Sequence, residues 1–181
     1  LLGQDITGRT LGIIGMGRIG QEVAKRAKGF DMNVLYFNRK RDLGAESKLN
    51  VHYAGLQTLL GESDVVSIHC PYTKETHHLI DEKELRQMKP NAILVNTARG
   101  PIVHEAALVK ALQEKRIWGA GLDVFEFEPK VTDELKTMPN VVLAPHLGSA
   151  TEGTRDAMIT LAARAIISVL NNERVPHLLN A

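Results

Sequence analysis

The chain has 181 residues, of which 44% are hydrophobic, 24% charged and 4% aromatic. This composition is typical of a globular domain with one sizeable core, and it excludes a disordered, collagen-like or coiled-coil chain. With 22 Lys and Arg against 21 Asp and Glu, the net charge is +1, so nothing favours nucleic acid or a membrane as a partner.

No apolar run approaches the roughly 18–20 residues of a membrane span, and residues 1–8 lack the features of a secretory signal. The single cysteine, Cys70, cannot close an intrachain disulfide, which favours a reducing compartment, and we expect a cytoplasmic protein. Because the sequence does not begin with Met, we expect it to be part of a longer chain.

Apolar runs and helical periodicity alternate along the chain. The runs predict six strands, over residues 10–14, 33–37, 65–69, 92–96, 119–124 and 141–144. Apolar residues at helical spacing predict five helices, over residues 21–28, 57–61, 81–88, 104–115 and 151–171. This alternation indicates an α/β fold with a doubly wound parallel sheet of the Rossmann type, in one domain over residues 1–181.

The turn after the first strand carries the pattern G-x-G-x-x-G. Its glycines allow a tight turn, close approach of a pyrophosphate and packing of the helix on the strand, while the helix N-terminus attracts an anion. The pattern predicts dinucleotide binding by Gly15, Gly17, Arg18, Ile19 and Gly20. The alternative is a plain tight turn in a flavodoxin-like or methyltransferase-like sheet.

The second predicted strand is followed by Asn38, Arg39 and Lys40 rather than by a carboxylate. A carboxylate there would hydrogen-bond the ribose hydroxyls of NAD and repel a 2′-phosphate. An amide and two cations can instead bind that phosphate, so we favour NADPH over NADH as the cofactor. The alternative is a solvated basic turn with no ligand.

Ligands of a doubly wound sheet gather at the carboxyl ends of its strands. Arg99 ends an otherwise apolar strand, and we expect it to face a cleft and an anion rather than to cap a surface loop. His146 follows the last predicted strand, where Glu126 or Glu128 could fix its tautomer and make it a proton donor. The other histidines are predicted to be packed or solvated: His52, His69, His77, His78, His104 and His177.

These segments together resemble the nucleotide-binding domain of the D-isomer-specific 2-hydroxyacid dehydrogenases, most closely the glyoxylate/hydroxypyruvate and 2-ketogluconate reductase branch. The resemblance covers essentially the whole chain. It rests on G-R-T-L-G-I-I-G-M-G-R-I-G from Gly8, N-T-A-R-G-P from Asn96, G-L-D-V-F-E from Gly121 with Glu128 and Pro129, and P-H-L-G-S-A-T from Pro145.

The resemblance implies hydride transfer between NADPH, or NADH, and a 2-keto acid such as glyoxylate, hydroxypyruvate or 2-ketogluconate. It implies that Arg99 binds the substrate's carboxylate and carbonyl, that His146 donates the proton, and that Glu128 pairs with His146. Arg99 and His146 would also border the cofactor, and Asp123 would hold its carboxamide. The remaining cofactor-binding residues that it implies are Cys70, Pro71, Thr76, Thr97, Ala98 and Gly148.

The chain departs from this family in three places. Asn38 stands where NAD-preferring members have Asp, and His104 stands where an Asp is common, which should cost some helix capping. The substrate domain of the family is expected to be absent, so this chain alone should bind cofactor and turn over little. A homodimer is expected, and no metal site.

Two rival functions fit parts of the sequence. A dinucleotide-sensing corepressor shares the architecture and the same Arg, Glu and His residues, so only an assay separates it from an enzyme. An S-adenosylmethionine methyltransferase fits the glycine turn, but the pattern of Arg99, Glu128 and His146 disfavours it.

Overall fold

The computed structural model describes residues 3–175, which fall into two compact units. The first unit ends at Pro145 and contains a β-sheet with its flanking helices. The second begins at His146 and contains one long helix. The single domain predicted over residues 1–181 stays a prediction.

The described part of the first unit contains seven strands: β1 (Thr10–Ile14), β2 (Asn33–Phe37), β3 (His52–Tyr53), β4 (Val65–Ile68), β5 (Ile93–Asn96), β6 (Gly119–Leu122) and β7 (Val141–Leu143). They form one sheet in the order β3-β2-β1-β4-β5-β6-β7, and all pairings are parallel. The strand order reverses between β1 and β4, where such sheets leave a crevice at the carboxyl ends of the strands.

Six helices connect these strands in the described part of the chain: α1 (Arg18–Ala27), α2 (Leu43–Leu49), α3 (Leu56–Glu62), α4 (Glu82–Gln87), α5 (Glu105–Gln113) and α6 (Asp133–Thr137). The second unit contains α7 (Glu152–Leu170), which follows β7. Two 3₁₀ turns lie at Lys28–Phe30 and Gly100–Ile102. Within residues 3–175, no helix combines the length and the apolar content that crossing a bilayer requires.

The core lies on both faces of the sheet because successive residues of a strand point to opposite sides. Ile13 packs with the residues of α1 and α2, whereas its neighbour Ile14 packs with those of α3, α4 and α5. Both side chains are at most 1% exposed. Burying one isoleucine stabilises the fold by about 1.5–3 kcal/mol, so the two faces together hold the sheet and its helices in one unit.

The doubly wound parallel sheet predicted from the sequence is confirmed. The predicted strands 10–14 and 33–37 agree with β1 and β2, and the later strands are one or two residues shorter than predicted. Three short elements were not predicted, namely α2, β3 and α6. Asp42 caps α2 by accepting a hydrogen bond of 2.9 Å from the Ala45 N–H, a contact that apolar periodicity does not reveal.

Candidate functional site

The glycine turn joins β1 to α1 and lies against the chain that follows β4. Gly15 has a φ of +102°, and a Cβ on it would lie 2.5 Å from the backbone nitrogen of Cys70. Only glycine fits this conformation at so close an approach. The first glycine of the pattern therefore makes the tight turn, as the sequence predicts.

The other two glycines of the turn have different environments. A Cβ on Gly20 would lie 2.2 Å from the carbonyl oxygen of Gly15, so α1 packs directly on the turn. A Cβ on Gly17 would meet nothing within 4 Å, so the space beside Gly17 is open. Arg18 and Ile19 follow, both exposed, at the N-terminus of α1, where helices leave backbone N–H groups unpaired. This end of the helix can therefore receive an anion.

Asn38 bonds the end of β2 to the same turn. Its Oδ1 accepts a hydrogen bond of 2.8 Å from the backbone N–H of Met16, and the Gly15 N–H donates to the carbonyl of Phe37 at 3.0 Å. A donor faces Oδ1, so the Asn38 amide nitrogen is the atom left to donate to a ligand.

A cleft of about 810 Å³ opens at the carboxyl ends of β1, β2 and β4. It brings together eight of the residues predicted to bind cofactor: Gly15, Gly17, Asn38, Arg39, Lys40, Cys70, Pro71 and Thr76. The rest of its lining was not predicted: Ile14, Met16, Phe37, His69, Thr73, Glu75 and Leu79. A cleft of this volume is large enough for a cofactor-sized ligand.

A second cleft, of about 510 Å³, continues past β4 towards β5. It shares His69, Cys70 and Pro71 with the first cleft. The other residues that line it are Ile19, Tyr72, Thr97, Ala98 and Arg99. The structure therefore places the predicted residues of the glycine turn, of the chain after β4 and of the chain after β5 along one continuous edge of the sheet.

Burial keeps the shared wall of these clefts neutral. Burial lowers the pKa of His69 below its usual value, and it raises the pKa of the Cys70 thiol. The His69 Nε2 lies 2.8 Å from the Oγ of Ser67, which fixes the orientation of the ring. Both side chains are uncharged at neutral pH, so a ligand here meets an uncharged surface. Cys70 also packs, partly buried, against the hydrophobic core.

Arg99 stands on a loop that its neighbours hold rigidly. The buried side chain of Asn96 accepts a hydrogen bond from the Ala98 N–H at 3.1 Å and donates to the Arg99 carbonyl at 3.0 Å. A Cβ on Gly100 would lie 1.8 Å from the carbonyl oxygen of Phe125, so the loop packs against the chain after β6. The Arg99 side chain is exposed and lines the second cleft.

The chain after β6 carries three carboxylates. Asp123 is 8% exposed, and its N–H donates to the Asn96 carbonyl at 3.0 Å. Glu128 accepts a hydrogen bond of 3.0 Å from the Phe125 N–H. Glu126, which the sequence offered as a partner for His146, has its two oxygens on His78 and on the N–H of Glu105.

Glu126 and Glu105 form a reciprocal pair. The Glu126 Oε2 accepts the Glu105 N–H at 2.9 Å, and the Glu105 Oε1 accepts the Glu126 N–H at 2.6 Å. Thr132 also donates its hydroxyl to Glu105. His104 makes no side-chain cap on α5, as its replacement of Asp led us to expect, and Glu126 bonds to that helix terminus instead.

Three histidines stack beside this pair. The ring centroids of His77 and His78 are 3.9 Å apart, and those of His78 and His104 are 4.4 Å apart. The His78 Nε2 lies 2.6 Å from Glu126, and the His104 Nδ1 lies 2.7 Å from Asp81, whose pKa that hydrogen bond lowers. The sequence predicts that these histidines are packed or solvated: His78 and His104 are partly buried, His77 is exposed, and all three line neither cleft described above. His52 is exposed in β3, and His177 lies outside the described residues.

His146 and Gly148 belong to the second unit. His146 opens that unit with a φ of +53° and is exposed, and Gly148 follows it two residues later. The pairing of His146 with Glu128 stays a prediction.

The missed residues of the clefts lie mainly in the loop between β4 and α4, at positions 69–79. This loop has no periodicity, so only its place after a strand in the middle of the sheet could have pointed to it.

Comparison with known proteins gives a consistent result. Residues 1–148 match the family described as D-isomer specific 2-hydroxyacid dehydrogenase, NAD binding domain. A glyoxylate reductase of Thermococcus litoralis is 54% identical over 179 residues, which are 99% of this chain and 54% of the relative. The chain therefore spans about half the length of the curated relatives that it matches.

Solved structures agree with the sequence match. The crystal structure of a glyoxylate reductase from Paecilomyes thermophila has a TM-score of 0.92 at 40% identity, covering 99% of this chain and 55% of that one. The crystal structure of a D-lactate dehydrogenase with NAD+ from Lactobacillus jensenii has a TM-score of 0.89 at 34% identity, covering 99% of this chain and 58% of that one.

Proposed function

The chain belongs to the D-isomer specific 2-hydroxyacid dehydrogenase family, as an NAD-binding domain, and we propose that it binds NADPH for the reduction of a 2-keto acid. Glyoxylate, hydroxypyruvate and 2-ketogluconate are the candidate substrates. The observation that carries the proposal is the continuous pair of clefts, which runs from the glycine turn to Arg99.

The residues present fit a dinucleotide. The open space beside Gly17 and the N-terminus of α1 suit a pyrophosphate, because backbone N–H groups can point at it and no side chain intervenes. The neutral wall of His69, Cys70 and Pro71 suits the uncharged rings and sugars on either side. Gly15 and Gly20 contribute by shape alone, since each is packed against the backbone.

NADPH is proposed over NADH because of the residues after β2. Arg39 and Lys40 line the first cleft, and Asn38 has its amide nitrogen to offer. These groups can bind a 2′-phosphate, whereas a 2′-hydroxyl would leave two cations without their strongest ligand. The D-lactate dehydrogenase of Lactobacillus jensenii was crystallised with NAD+, so NADH is the second candidate.

The proposed chemistry divides between the cofactor and the protein. When bound, the reduced nicotinamide supplies the hydride. Arg99 binds the carboxylate of the keto acid and polarises its carbonyl, and Asp123 holds the carboxamide of the cofactor. His146 donates a proton to the keto oxygen, with Glu128 holding the imidazole in its donor tautomer. Thr76, Thr97, Ala98 and Gly148 border the cofactor.

We extend the proposal to a homodimer in the cytoplasm. The family resemblance favours the dimer, and the presence of a single cysteine, Cys70, which cannot close an intrachain disulfide, favours a reducing compartment. Sedimentation of the purified protein would give its mass, and a monomer at micromolar concentration would contradict the dimer.

A substrate panel on the full-length polypeptide tests the function. We expect oxidation of NADPH with at least one of the three keto acids, and a loss of roughly 10²-fold or more in turnover for His146→Gln. His52→Gln is the matched control, because His52 is exposed in β3 and lines neither cleft. Oxidation of neither NADPH nor NADH by any of these acids would overturn the proposal and favour a corepressor-type binding module.

A further inference from the structure

The first cleft contains a carboxylate as well as its two cations. Glu75, in the loop between β4 and α4, lines the cleft together with Arg39 and Lys40. The residues after β2 form one wall, and the β4–α4 loop supplies Glu75 from another part of the chain. An anion that binds to the cations therefore shares the cleft with a negative charge.

Hydrogen bonds hold the loop around Glu75 in one conformation. The Thr73 N–H donates to the Oγ1 of Thr76 at 2.7 Å, and that hydroxyl donates to the Pro71 carbonyl at 2.8 Å. The His77 N–H closes the turn by donating to the Thr73 carbonyl at 3.0 Å. Glu75 lies inside this turn, so its position in the cleft follows from backbone geometry rather than from a mobile side chain alone.

Glu75 is ionised at neutral pH. A hydrogen bond from the Thr73 side chain lowers the pKa of Glu75, and the Glu75 N–H and the charge of Arg39 lower it further. Arg39 and Glu75 have opposite charges and line the same cleft. Neither Arg39 nor Glu75 takes part in an ion pair within 4.0 Å among the described residues, so Arg39 keeps its donors for a ligand.

We propose that Glu75 is a specificity-determining residue, which limits the affinity of this cleft for a 2′-phosphorylated dinucleotide and so sets the ratio of NADPH to NADH binding. This inference rests on the proposed function. A 2′-phosphate carries close to two negative charges and gains from Arg39 and Lys40, but it is repelled by Glu75. A 2′-hydroxyl carries no charge and can donate a hydrogen bond, so Glu75 does not oppose it.

The test is a set of cofactor titrations on the purified chain, with NADPH, NADH, adenosine 2′,5′-bisphosphate and 5′-AMP. Glu75→Gln should raise the affinity for NADPH and for the bisphosphate roughly threefold to tenfold, and change that for NADH and 5′-AMP less than twofold. Salt should reduce this gain, because charges in an open cleft are screened over about 8–10 Å. Glu62→Gln, an exposed glutamate of α3 outside both clefts, should change nothing.

A second variant shows whether the two charges act on each other. A double-mutant cycle compares the effect of Glu75→Gln on NADPH affinity in the parent chain with its effect in Arg39→Gln. We expect the two effects to differ. If Glu75→Gln changed NADPH affinity equally in the parent chain and in Arg39→Gln, Glu75 would not be coupled to Arg39.

The titrations separate this inference from the cofactor assignment. Tighter binding of NADPH than NADH with no effect of Glu75→Gln would overturn the role of Glu75 and keep the NADPH assignment. Tighter binding of NADH by the parent chain, with a gain for NADPH in Glu75→Gln, would support Glu75 and overturn that assignment. A variant that weakens all four ligands alike would overturn Glu75 as a specificity residue.

Discussion

The side-chain oxygen of Asn38 accepts a hydrogen bond of 2.8 Å from the backbone N–H of Met16, although the two residues are 22 positions apart. The bond fixes the end of β2 to the glycine turn, so the residue that we propose to contact the cofactor also holds that turn in place. A carboxylate could accept the same N–H, but it would bring a negative charge and lack a donor.

Asn38→Asp is therefore expected to keep the fold and to shift the cofactor preference from NADPH towards NADH. The hydrogen bond to Met16 survives, whereas the new charge repels a 2′-phosphate, so NADPH affinity should fall by roughly tenfold or more and NADH affinity should not fall. Asn38→Leu serves as the contrast, because it leaves the Met16 N–H without its acceptor. The free energy of unfolding of this variant should fall by about 1–2 kcal/mol. Equal loss of both cofactors in Asn38→Asp would argue against a role in discrimination.

Alanine at Gly17 and at Gly20 should separate binding from folding. Gly17→Ala places a methyl group where nothing lies within 4 Å, so the thermal unfolding midpoint should hardly change, while NADPH and NADH both bind at least about tenfold more weakly. Gly20→Ala places its Cβ 2.2 Å from the Gly15 carbonyl, so the free energy of unfolding should fall by about 2 kcal/mol.

Calorimetry and cofactor titration on the same samples check both expectations. Undiminished cofactor binding in Gly17→Ala would show that the ligand does not approach the turn at this glycine.

Local pattern was sufficient for those parts of the molecule whose structure is decided locally. The apolar runs predicted β1 and β2 residue for residue, because a strand covered on both faces is mostly apolar. The glycine turn was predictable as well, since its backbone leaves no choice of residue at Gly15.

The rest depends on contacts between distant positions, which no local pattern contains. Glu126 was predicted only as a candidate partner of His146, yet its carboxylate bonds His78, 48 positions away. Glu75 was not singled out from the sequence, and only the fold places it in the same cleft as Arg39. The two-residue strand β3 exists because β2 pairs with it, not because of its own sequence.

Acid should weaken the fold partly through Glu46. Its carboxylate accepts two hydrogen bonds from Arg41 and one from the Tyr36 hydroxyl, all of 2.7 Å. These bonds, from Arg41 first and Tyr36 second, lower its pKa from 4.5 to about 2. Because the pKa of Glu46 is lower in the folded than in the unfolded chain, the ionised carboxylate stabilises the folded state at any pH above the unfolded pKa. This contribution to the free energy of unfolding is complete above about pH 5 and is lost as the pH falls from about 4.5 towards 2.

Urea unfolding at a series of pH values measures the effect. Glu46→Gln should be less stable than the parent chain at pH 7, and the difference should shrink steadily below pH 4.5. Glu62→Gln, on the exposed surface of α3, should show no such convergence. A difference between Glu46→Gln and the parent that stays constant from pH 7 to pH 3 would mean that charge is not what Glu46 contributes.

The reciprocal pair of Glu105 and Glu126 should matter for stability more than any surface ion pair of the chain. Glu105 is 3% exposed, and its removal in Glu105→Ala leaves the Glu126 N–H and the Thr132 hydroxyl without their acceptors. Each such group costs about 1–3 kcal/mol when buried, so the free energy of unfolding should fall by about 3 kcal/mol. Glu105→Gln should lower the free energy of unfolding by about 1 kcal/mol. The amide oxygen can still accept from the Glu126 N–H, and the amide nitrogen can donate to the Thr132 hydroxyl.

Glu114→Ala is the matched control for this pair, because Glu114 follows α5 at its other end and is exposed. It should change the free energy of unfolding by less than about 0.5 kcal/mol. If Glu105→Ala were as mild as Glu114→Ala, the hydrogen bonds between α5 and the chain after β6 would be replaceable by water, and that chain would not depend on α5 for its position. If instead Glu105→Ala were severe and Glu105→Gln mild, hydrogen bonding rather than charge would hold the loop that carries Glu128.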